Sequence, residues 1–257
     1  MNTTFGEGRQ SRLLAGGALL VAAVFTVLML SPNALPSRAS APSVGTFGPA
    51  CGAAVIDGRV DPAEWSSAST QTSQMYSPSG SAPFTVTLRV MNSRSDLYLG
   101  ITINDDEFST YGKWLPEGDA FRVDFDNDHS GSLFTPGGDV LIISAGAPQF
   151  EDCFISGGTS AASDAGSGGT ADGSGVASRM GNRNHFELKH PLCSGDSRDF
   201  CLHPMDVVGF RLEYLDAEAD GSFGGNQFYP SYTAEADIVI GVCPLSDVFV
   251  YLPLIRK

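Results

Sequence analysis

Apolar and polar residues alternate with a period of two along much of this chain. Residues 83–91 (PFTVTLRVM) place every second side chain on one apolar face, and residues 96–104 (DLYLGITIN) repeat the pattern. A period of two is typical of a strand with one buried face. The polar residues 92–95 between the two runs favour a tight turn, so we predict a β-hairpin.

The same pattern predicts further strands at residues 120–125, 139–144, 185–191, 207–215 and 236–242. No window of helical length has an apolar stripe with a 3.6-residue period. Many short strands separated by turn signals are typical of a sandwich. We therefore predict an all-β fold, an antiparallel β-sandwich over residues 51–243, preceded by an N-terminal signal or anchor helix.

The first 41 residues differ from the rest of the chain. Arg9 and Arg12 precede an apolar run at residues 13–30, and residues 39–41 (ASA) are small enough for a signal peptidase. The run is long for a cleaved signal and short for a membrane helix, which needs about 20 residues. Residues 1–41 are predicted to be a signal peptide or a retained anchor, followed by a linker at residues 42–50. Either alternative makes the domain secreted or extracytoplasmic, at the cell surface.

Acidic residues dominate the charge. The chain has 15 basic and 29 acidic residues, and loss of residues 1–41 would leave 12 and 28, a net charge of −16. Nucleic acids and anionic membranes select a cationic surface. We therefore exclude nucleic acid as a partner, and we expect a membrane contact only through an uncleaved N-terminal segment.

Five cysteines follow the leader, and outside the membrane they are expected to oxidise. Cys193 and Cys201 enclose a short polar loop and are the first candidate pair. Cys51 and Cys243 flank the predicted domain and form the second, although an exchange with Cys153 stays open. The odd cysteine would form an intermolecular bridge or remain a buried, inert thiol.

Two segments lack the alternating pattern. Residues 157–178 consist almost entirely of Gly, Ser, Ala, Thr and Asp and are predicted to be a long flexible loop within the domain. Such a loop is either a tolerated insertion or a functional lid. Residues 244–257 contain an apolar patch and are predicted to be a last strand or a C-terminal tail.

Carboxylates at every second position, including Asp126 and Asp128, supply the oxygen ligands that calcium prefers. The pattern is not an EF-hand, because His129 stands where that loop needs a glycine. We predict a structural calcium at Asp126 and Asp128, with Asp105 or Asp106 added from a neighbouring loop. The alternative is an acidic turn that caps its own backbone amides.

Several aromatic and planar polar side chains could form a binding surface. Trp65 is expected to fill the core, whereas Trp114 lies in a polar loop and is either an exposed platform or a loop anchor. Strand parity turns Arg122 and Arg211 away from the core, where they would form cross-strand ion pairs or contact hydroxyls. The candidate ligand-binding residues are Trp114, Tyr111, Arg122, Arg211, Asn226, Gln227 and Tyr229.

Five motifs, in order, resemble the family 9 carbohydrate-binding modules and the wider DOMON-like group. They are IDGRVDPAEW at 56–65, DLYL with INDD at 96–106, GDAFRVDFDND at 118–128, HFELKHPL at 185–192 and VGFRLEY at 208–214. The resemblance implies a β-sandwich that binds a glycan or polysaccharide without cleaving it and often holds structural calcium. The resemblance therefore predicts an exported, non-catalytic carbohydrate-binding domain. Its predicted carbohydrate-binding residues are the candidates above, Trp114, Tyr111, Arg122, Arg211, Asn226, Gln227 and Tyr229.

Two alternatives remain. DOMON-like domains can hold haem b between a Met and a His, which would make this chain an electron-transfer domain, and the candidate ligands are Met91, Met180, Met205, His185 and His190. The third possibility is a structural or adhesive surface domain without a small ligand. No motif of a hydrolase or of a phosphate-binding enzyme occurs in the sequence.

Overall fold

The computed structural model describes residues 45–112 and 117–244. The described strands are β1 Thr46–Phe47, β2 Ser69–Gln74, β3 Thr85–Asn92, β4 Asp96–Ile103, β5 Ala120–Asp126, β6 Asp139–Ser144, β7 Phe150–Gly157, β8 Ser160–Ser163, β9 Ser174–Met180, β10 Arg183–Pro191, β11 Val207–Ala217, β12 Phe223–Tyr229 and β13 Ala236–Val239. A single 3₁₀ turn, Ala165–Ser167, lies among these residues. The predicted leader and the predicted C-terminal strand or tail, from residue 245 on, lie outside the described residues. Nothing in the described ranges forms a helix long and apolar enough to cross a membrane.

The strands form two sheets, as expected for a sandwich. The larger sheet has eight strands in the order β1-β13-β11-β5-β6-β7-β8, with β12 added to β11. The smaller sheet has the order β2-β3-β4-β10-β9. All the strand pairs are antiparallel except β1 with β13. The all-β class is confirmed, and the parallel pair is the one departure from the predicted antiparallel pattern.

Strand β11 organises the larger sheet. One of its edges pairs with β5 over residues 209–215. Its other edge is divided, since β13 pairs with residues 207–210 and β12 with residues 212–217. The chain between β12 and β13 must therefore loop outward from this edge, and it covers part of the sheet's outer face.

The core lies between the sheets and comes from the predicted alternation. Its fully buried members include Leu88, Leu99, Val123, Leu141 and Phe186, one from each of five strands. Burial of one such side chain contributes roughly 1.5–3 kcal/mol to stability. The seven strands predicted from the pattern are all present.

A second, smaller apolar cluster covers the outer face of the smaller sheet. Trp65 is 2 % exposed and packs with Val60, Met91 and Tyr98, so its prediction as a core residue is confirmed. The indole lies flat over β4, where a Cβ on Gly100 would come within 2.9 Å of the ring. Position 100 therefore has no room for any other residue.

The buried carboxylate of Glu187 connects this cluster to the sheet. One carboxylate oxygen accepts the indole N–H of Trp65 at 2.8 Å. The other accepts the backbone amides of Asp57, Gly58 and Arg59 at 2.9–3.1 Å. Burial raises the pKa of Glu187, and these donors oppose that rise because they favour the charged form.

Two segment predictions were wrong in part. Residues 42–50 are not only a linker, because β1 lies there and Phe47 is fully buried in the core. Residues 157–178 are not a loop without regular structure, since they contain β8, the 3₁₀ turn and much of β9. Strand β9 was not predicted because its buried positions carry small residues. Gly175, for example, is buried beneath Phe150 but has no side chain that could contribute to an apolar alternation.

Both predicted disulfides are present, Cys51–Cys243 and Cys193–Cys201. Cys153 is free and buried, as expected for an inert thiol. Burial and repulsion by Glu151 and Asp152 raise its pKa to about 12.

Candidate functional site

Four charged side chains form a continuous row on the outer face of the larger sheet. Arg122 donates to Asp124 Oδ1 from Nε at 2.7 Å, and Arg211 Nη2 lies 2.5 Å from Asp124 Oδ2. Arg211 Nη2 also lies 3.5 Å from Glu213 Oε2. We call these four residues the charged ladder. Their order follows from the strand register, which sets Arg122 opposite Glu213 and Arg211 opposite Asp124.

The middle of the charged ladder is closed off from water. Arg211 is 2 % exposed, and its guanidinium carbon lies 4.7 Å from the ring centre of Phe134, 5.0 Å from that of Phe228 and 5.7 Å from that of Tyr232. Cation–π contacts strengthen as the cation is desolvated. Parity predicted that Arg211 leaves the core, which is confirmed, but the aromatic cover prevents direct contact with a ligand.

A cavity of about 450 Å³ lies beside the open end of the charged ladder. Its polar lining comes from Arg122, Glu151, Ser163 and Glu213, and its apolar floor includes Cys153. Asn226 stands next to it and donates to Glu213 Oε1 at 3.0 Å. Predicted residues Arg122 and Asn226 are thus brought together at this cavity.

A second cavity, of about 320 Å³, lies beside the aromatic cover. It is lined by residues 131–134 and 232–235, and the ring of Tyr232 is 46 % exposed. The pKa of Glu235 is raised to about 7, chiefly by burial and next by the nearby charge of Asp126. This cavity therefore combines an accessible aromatic ring with a carboxyl group.

Gln227 and Tyr229, also predicted as binding residues, are not at this site. They alternate with Asn226 and Phe228 along β12 and point into the sandwich. Gln227 accepts the amide of Phe84 at 2.8 Å, and the Tyr229 hydroxyl bonds Gln71 at 2.9 Å. The prediction for this pair was wrong because it grouped neighbours in sequence without applying strand parity.

Tyr111 lies away from the charged ladder. Its ring packs against the turn between β11 and β12, where a Cβ on Gly221 would come within 2.6 Å. It is 57 % exposed. Trp114, which follows in the same loop, lies outside the described residues, so its role as a platform stays a prediction.

The four predicted calcium ligands do not form one site. Asp126 accepts the Ser130 hydroxyl at 3.1 Å and the Gly131 amide at 2.6 Å, which is the capping alternative. Asp126 pairs with Gly209 near the start of β11, whereas Asp105 is bonded by Tyr214 towards the strand's end. Asp105 and Asp106 therefore belong to the opposite end of the sandwich. Asp128 is exposed, and bonds involving Asp126 and Ser130 lower its pKa.

Asp105 forms part of a second carboxylate group, together with Asp119 and Asp216. Asp105 accepts the Glu107 amide at 3.0 Å in addition to the Tyr214 hydroxyl. Asp119 accepts the amides of Ser109 and Ala217, both at 3.0 Å. Burial, together with the charge of neighbouring carboxylates, raises the pKa of Asp119 and of Asp216 to about 7.

We expect Asp216→Asn to stabilise the protein at alkaline pH. The ordinary pKa of Asp216 is 3.8, and burial and then repulsion by Asp105 and Glu218 raise it to about 7 in the folded state. A raised folded pKa makes stability fall as pH rises from about 4 to about 7, and asparagine removes that loss. Thermal unfolding should show a Tm higher by a few degrees at pH 8 and a smaller gain at pH 5. The exposed neighbour Asp106→Asn is the control, and an equal gain at both pH values would contradict the prediction.

Sequence reasoning missed a third group, in which Asp139, Asp152, His190 and Asp199 place one ligand atom each within 4.8 Å of one another. All four are buried, and His190 Nε2 lies 3.8 Å from Asp152 and 3.6 Å from Asp199. Burial acts to lower the pKa of His190, but the carboxylates outweigh it and raise that pKa to about 9.

A usable signal for this group existed in the sequence. Asp139 is in phase with Leu141 and Ile143, and His190 is in phase with Phe186 and Leu188, so both occupy core-facing positions. Burial raises the pKa of Asp139 well above its ordinary value. An ionisable residue that shares the parity of core residues needs a buried partner. The alternation of apolar residues along one strand does not identify that partner, because it lies on another strand or loop.

The residues proposed for haem are dispersed. Met91 lies on the outer face of the smaller sheet beneath Trp65, whereas His190 faces the interior among carboxylates. Met180 and Met205 are exposed. These positions do not place a Met and a His on the two sides of one cavity, and we do not carry the haem hypothesis further.

The fold, but not the sequence, is similar to known proteins. No protein-family model matches the chain, and no curated protein is similar to it. A family 9 carbohydrate-binding module from Caldicellulosiruptor kristjanssonii in complex with glucose has a TM-score of 0.55 and 11 % identity, covering 79 % of this chain and 99 % of its own. The cellotriose complex gives 0.54 and 12 %, covering 79 % and 100 %. A structure from Bacteroides uniformis gives 0.50 and 8 %, covering 76 % and 99 %. The predicted resemblance is thus confirmed for the fold.

Proposed function

We propose that this chain is an exported, non-catalytic domain that binds a glycan or polysaccharide at the outer face of the larger sheet. The charged ladder is the observation that carries this proposal. It holds planar hydrogen-bonding groups beside one cavity of about 450 Å³ and next to another of about 320 Å³. Small-ligand sites commonly have volumes of about 300–1,000 Å³.

The polar lining of the larger cavity suits hydroxyl groups. Glu213 and Glu151 accept hydrogen bonds, whereas Arg122 and Asn226 donate them. A sugar hydroxyl, which both donates and accepts, would find partners for both roles. Arg122 is already fixed by Asp124 at 2.7 Å, which reduces the side-chain entropy that binding would cost. A preorganised polar surface of this kind favours recognition of a rigid, hydroxyl-rich ligand.

A sugar-binding surface also needs an exposed aromatic ring, and Tyr232 supplies one. Tyr232 exposes 46 % of its surface beside the smaller cavity, and Phe228 holds it edge-on with ring centres 5.0 Å apart. A fixed aromatic ring with a free face can pack against the C–H groups of a sugar. The neighbours with the same fold were solved with glucose and with cellotriose, which supports a carbohydrate as the ligand class.

Export and calcium binding belong to the same proposal. Two disulfides suit an oxidising compartment, and residues 1–41 have the sequence of a secretory signal or an anchor. The structural calcium at Asp126 and Asp128 stays a prediction, which a chelator-induced fall in Tm would support.

A glycan array followed by calorimetry tests the function and its location. We expect a hit among soluble or cell-wall glycans in calcium-containing buffer, and at least about a tenfold increase in Kd in Tyr232→Ala or Glu151→Ala, roughly 1.4 kcal/mol. Tyr111→Ala is the matched control, because it removes another exposed tyrosine, 57 % against 46 % for Tyr232, that lies away from the charged ladder.

The outcomes separate the function from the site. An array without hits would reject glycan binding and favour a structural or adhesive domain. Binding that is lost in Tyr111→Ala or Trp114→Ala but kept in Tyr232→Ala would preserve the function and move the site to the loop near residue 111.

A further inference from the structure

The group formed by Asp139, Asp152, His190 and Asp199 lies inside the sandwich, and we call it the buried acidic group. Asp139 and Asp152 come from the larger sheet and His190 from the smaller one. Asp199 comes from the loop that the Cys193–Cys201 disulfide closes. Their exposed fractions are 0, 3, 0 and 7 %. Three carboxylates are thus removed from water around one imidazole.

Most atoms of the buried acidic group have no hydrogen-bond donor. Among the described residues, eleven buried side-chain polar atoms lack a partner, and seven of them belong to this group and to Asp164 beside it. Both oxygens of Asp139 and both of Asp164 are among the seven, although the Phe200 amide approaches Asp139 and the carboxyl groups of Asp164 and Asp199 approach each other. Buried polar atoms are almost always satisfied in native proteins, so this concentration favours a bound ion or water at the group.

The orientation of His190 points to the same conclusion. Its Nδ1 lies 2.9 Å from the carbonyl oxygen of Pro191, so Nδ1 is a donor, and a cation would bind Nε2 by displacing the proton on that atom. Nε2 then faces Asp152 and Asp199. A metal-binding histidine typically donates its other ring N–H to a backbone carbonyl in this way.

The second carboxylate group of the chain provides a contrast. Asp105 and Asp119 are also buried and close together, yet a hydroxyl or backbone amides donate to them. Hydrogen bonds from the protein therefore account for that group. In the buried acidic group the corresponding donors are missing for most oxygens, and a cation would replace them.

The Gly/Ser-rich segment adds an independent argument. It has almost no apolar side chains, yet it follows a defined path around the buried acidic group. Asp172 donates its amide to Asp152 at 2.6 Å, and the Asp164 amide donates to the Asp152 carbonyl at 3.1 Å. Arg198 bonds the Ser167 carbonyl at 2.7 Å. Pairing of β8 with β7 and of β9 with β10 holds part of this segment, and a bound ion would connect the stretch between these strands to the buried acidic group through Asp152 and Asp164.

We propose that Asp139, Asp152, His190 and Asp199 bind a divalent cation, with Asp164 contributing a further carboxylate. Calcium–oxygen distances of about 2.3–2.6 Å place opposite ligands about 5 Å apart. The ligand atoms already lie within 4.8 Å of one another, so they can enclose an ion with little movement. Carboxylate ligands suit Ca²⁺ or Mn²⁺, whereas the imidazole also suits Zn²⁺, so these three ions are the candidates.

The first test measures metal content and thermal stability. Protein dialysed against chelator and then against Ca²⁺, Mn²⁺ or Zn²⁺ is analysed by mass spectrometry of the metal and by calorimetry. We expect at least one ion per chain, of which Asp139→Asn loses one, and a Tm rise of roughly 10 °C at a thousandfold excess over Kd. Loaded with Mn²⁺, the protein should also show an imidazole nitrogen signal in pulsed electron paramagnetic resonance, and His190→Gln should lose it.

The second test compares the change in Tm caused by Asp139→Asn with and without metal. Only a metal site predicts that this change is positive in one case and negative in the other. In metal-free protein, Asp139→Asn should raise Tm, because it removes the cost of burying a carboxyl group whose oxygens have little hydrogen bonding. In metal-loaded protein the same substitution removes a ligand and should lower Tm relative to the wild type. Asp128→Asn is the control, since it lies outside the buried acidic group and should leave the metal-dependent Tm rise intact.

Three results would overturn the proposal. They are the absence of bound metal after loading, a wild-type Tm that none of the three ions moves, and an Asp139→Asn variant that stabilises equally with and without metal. If Asp128→Asn alone abolished the metal effect, the ion would be at the predicted Asp126 and Asp128 turn instead.

Discussion

Replacing Cys51 and Cys243 by alanine is expected to lower the free energy of unfolding by up to about 5 kcal/mol. The two cysteines are 192 residues apart, so the bond strongly restricts the unfolded chain. Folded geometry should survive, because Asn92 still holds this end through hydrogen bonds with Gly241 at 2.7 and 3.1 Å. For a domain of this size the loss corresponds to a fall in Tm of roughly 10–20 °C.

The other disulfide supplies the matched control. Cys193 and Cys201 are only 8 residues apart, for which the same entropy argument gives about 2.5 kcal/mol. Urea unfolding of both double-alanine variants measures the two costs under one protocol. A larger loss from the short loop than from the long one would show that strain or local contacts, rather than chain entropy, decide the effect.

The second large effect is expected from Glu187→Gln, with a loss of about 3 kcal/mol. The carboxylate accepts three backbone amides on one oxygen and the Trp65 indole on the other. Glutamine has only one acceptor, so its amide must face either the indole N–H or the three backbone donors. Residues 57–65 would then lose their hydrogen bonds to Glu187 on β10.

A double-mutant cycle with Trp65→Phe measures how much of this loss comes from the glutamine amide facing the indole N–H. Phenylalanine has no N–H, so glutamine can turn its amide towards position 65 without facing another donor. We expect Glu187→Gln to cost clearly less in the Trp65→Phe background, as measured by chemical unfolding. Equal costs in both backgrounds would contradict the account, since they would mean that the indole contributes nothing to the penalty.

The strands that the sequence predicted are those with one face in the core and contrasting residues on the other. Residues 85–92 and 96–103 alternate in this way and were found. Strand β2 was missed because its sequence, STQTSQ, contains no apolar residue to define a face. Strand β12 was missed because it has side chains buried on both faces, Tyr229 inside and Phe228 under the aromatic cover.

Parity also predicted part of the candidate site. It placed Arg122 and Arg211 outside the core correctly, since it needs only the strand's own sequence. It could not predict that Phe134 and Tyr232 cover Arg211, because these residues come from two loops on opposite sides of β11 that meet over its outer face. The buried acidic group was missed for the same reason, since its members span residues 139–199 and both sheets.

The free thiol of Cys153 has a consequence for redox chemistry. Thiol–disulfide exchange requires the thiolate as attacking species. Burial and the neighbouring carboxylates raise the pKa of Cys153 to about 12, so the thiol stays protonated at pH 7. Cys153 is therefore a poor nucleophile even in an oxidising compartment. An odd number of cysteines is therefore compatible with correct disulfide formation, because Cys153 exchanges only slowly with the two disulfides.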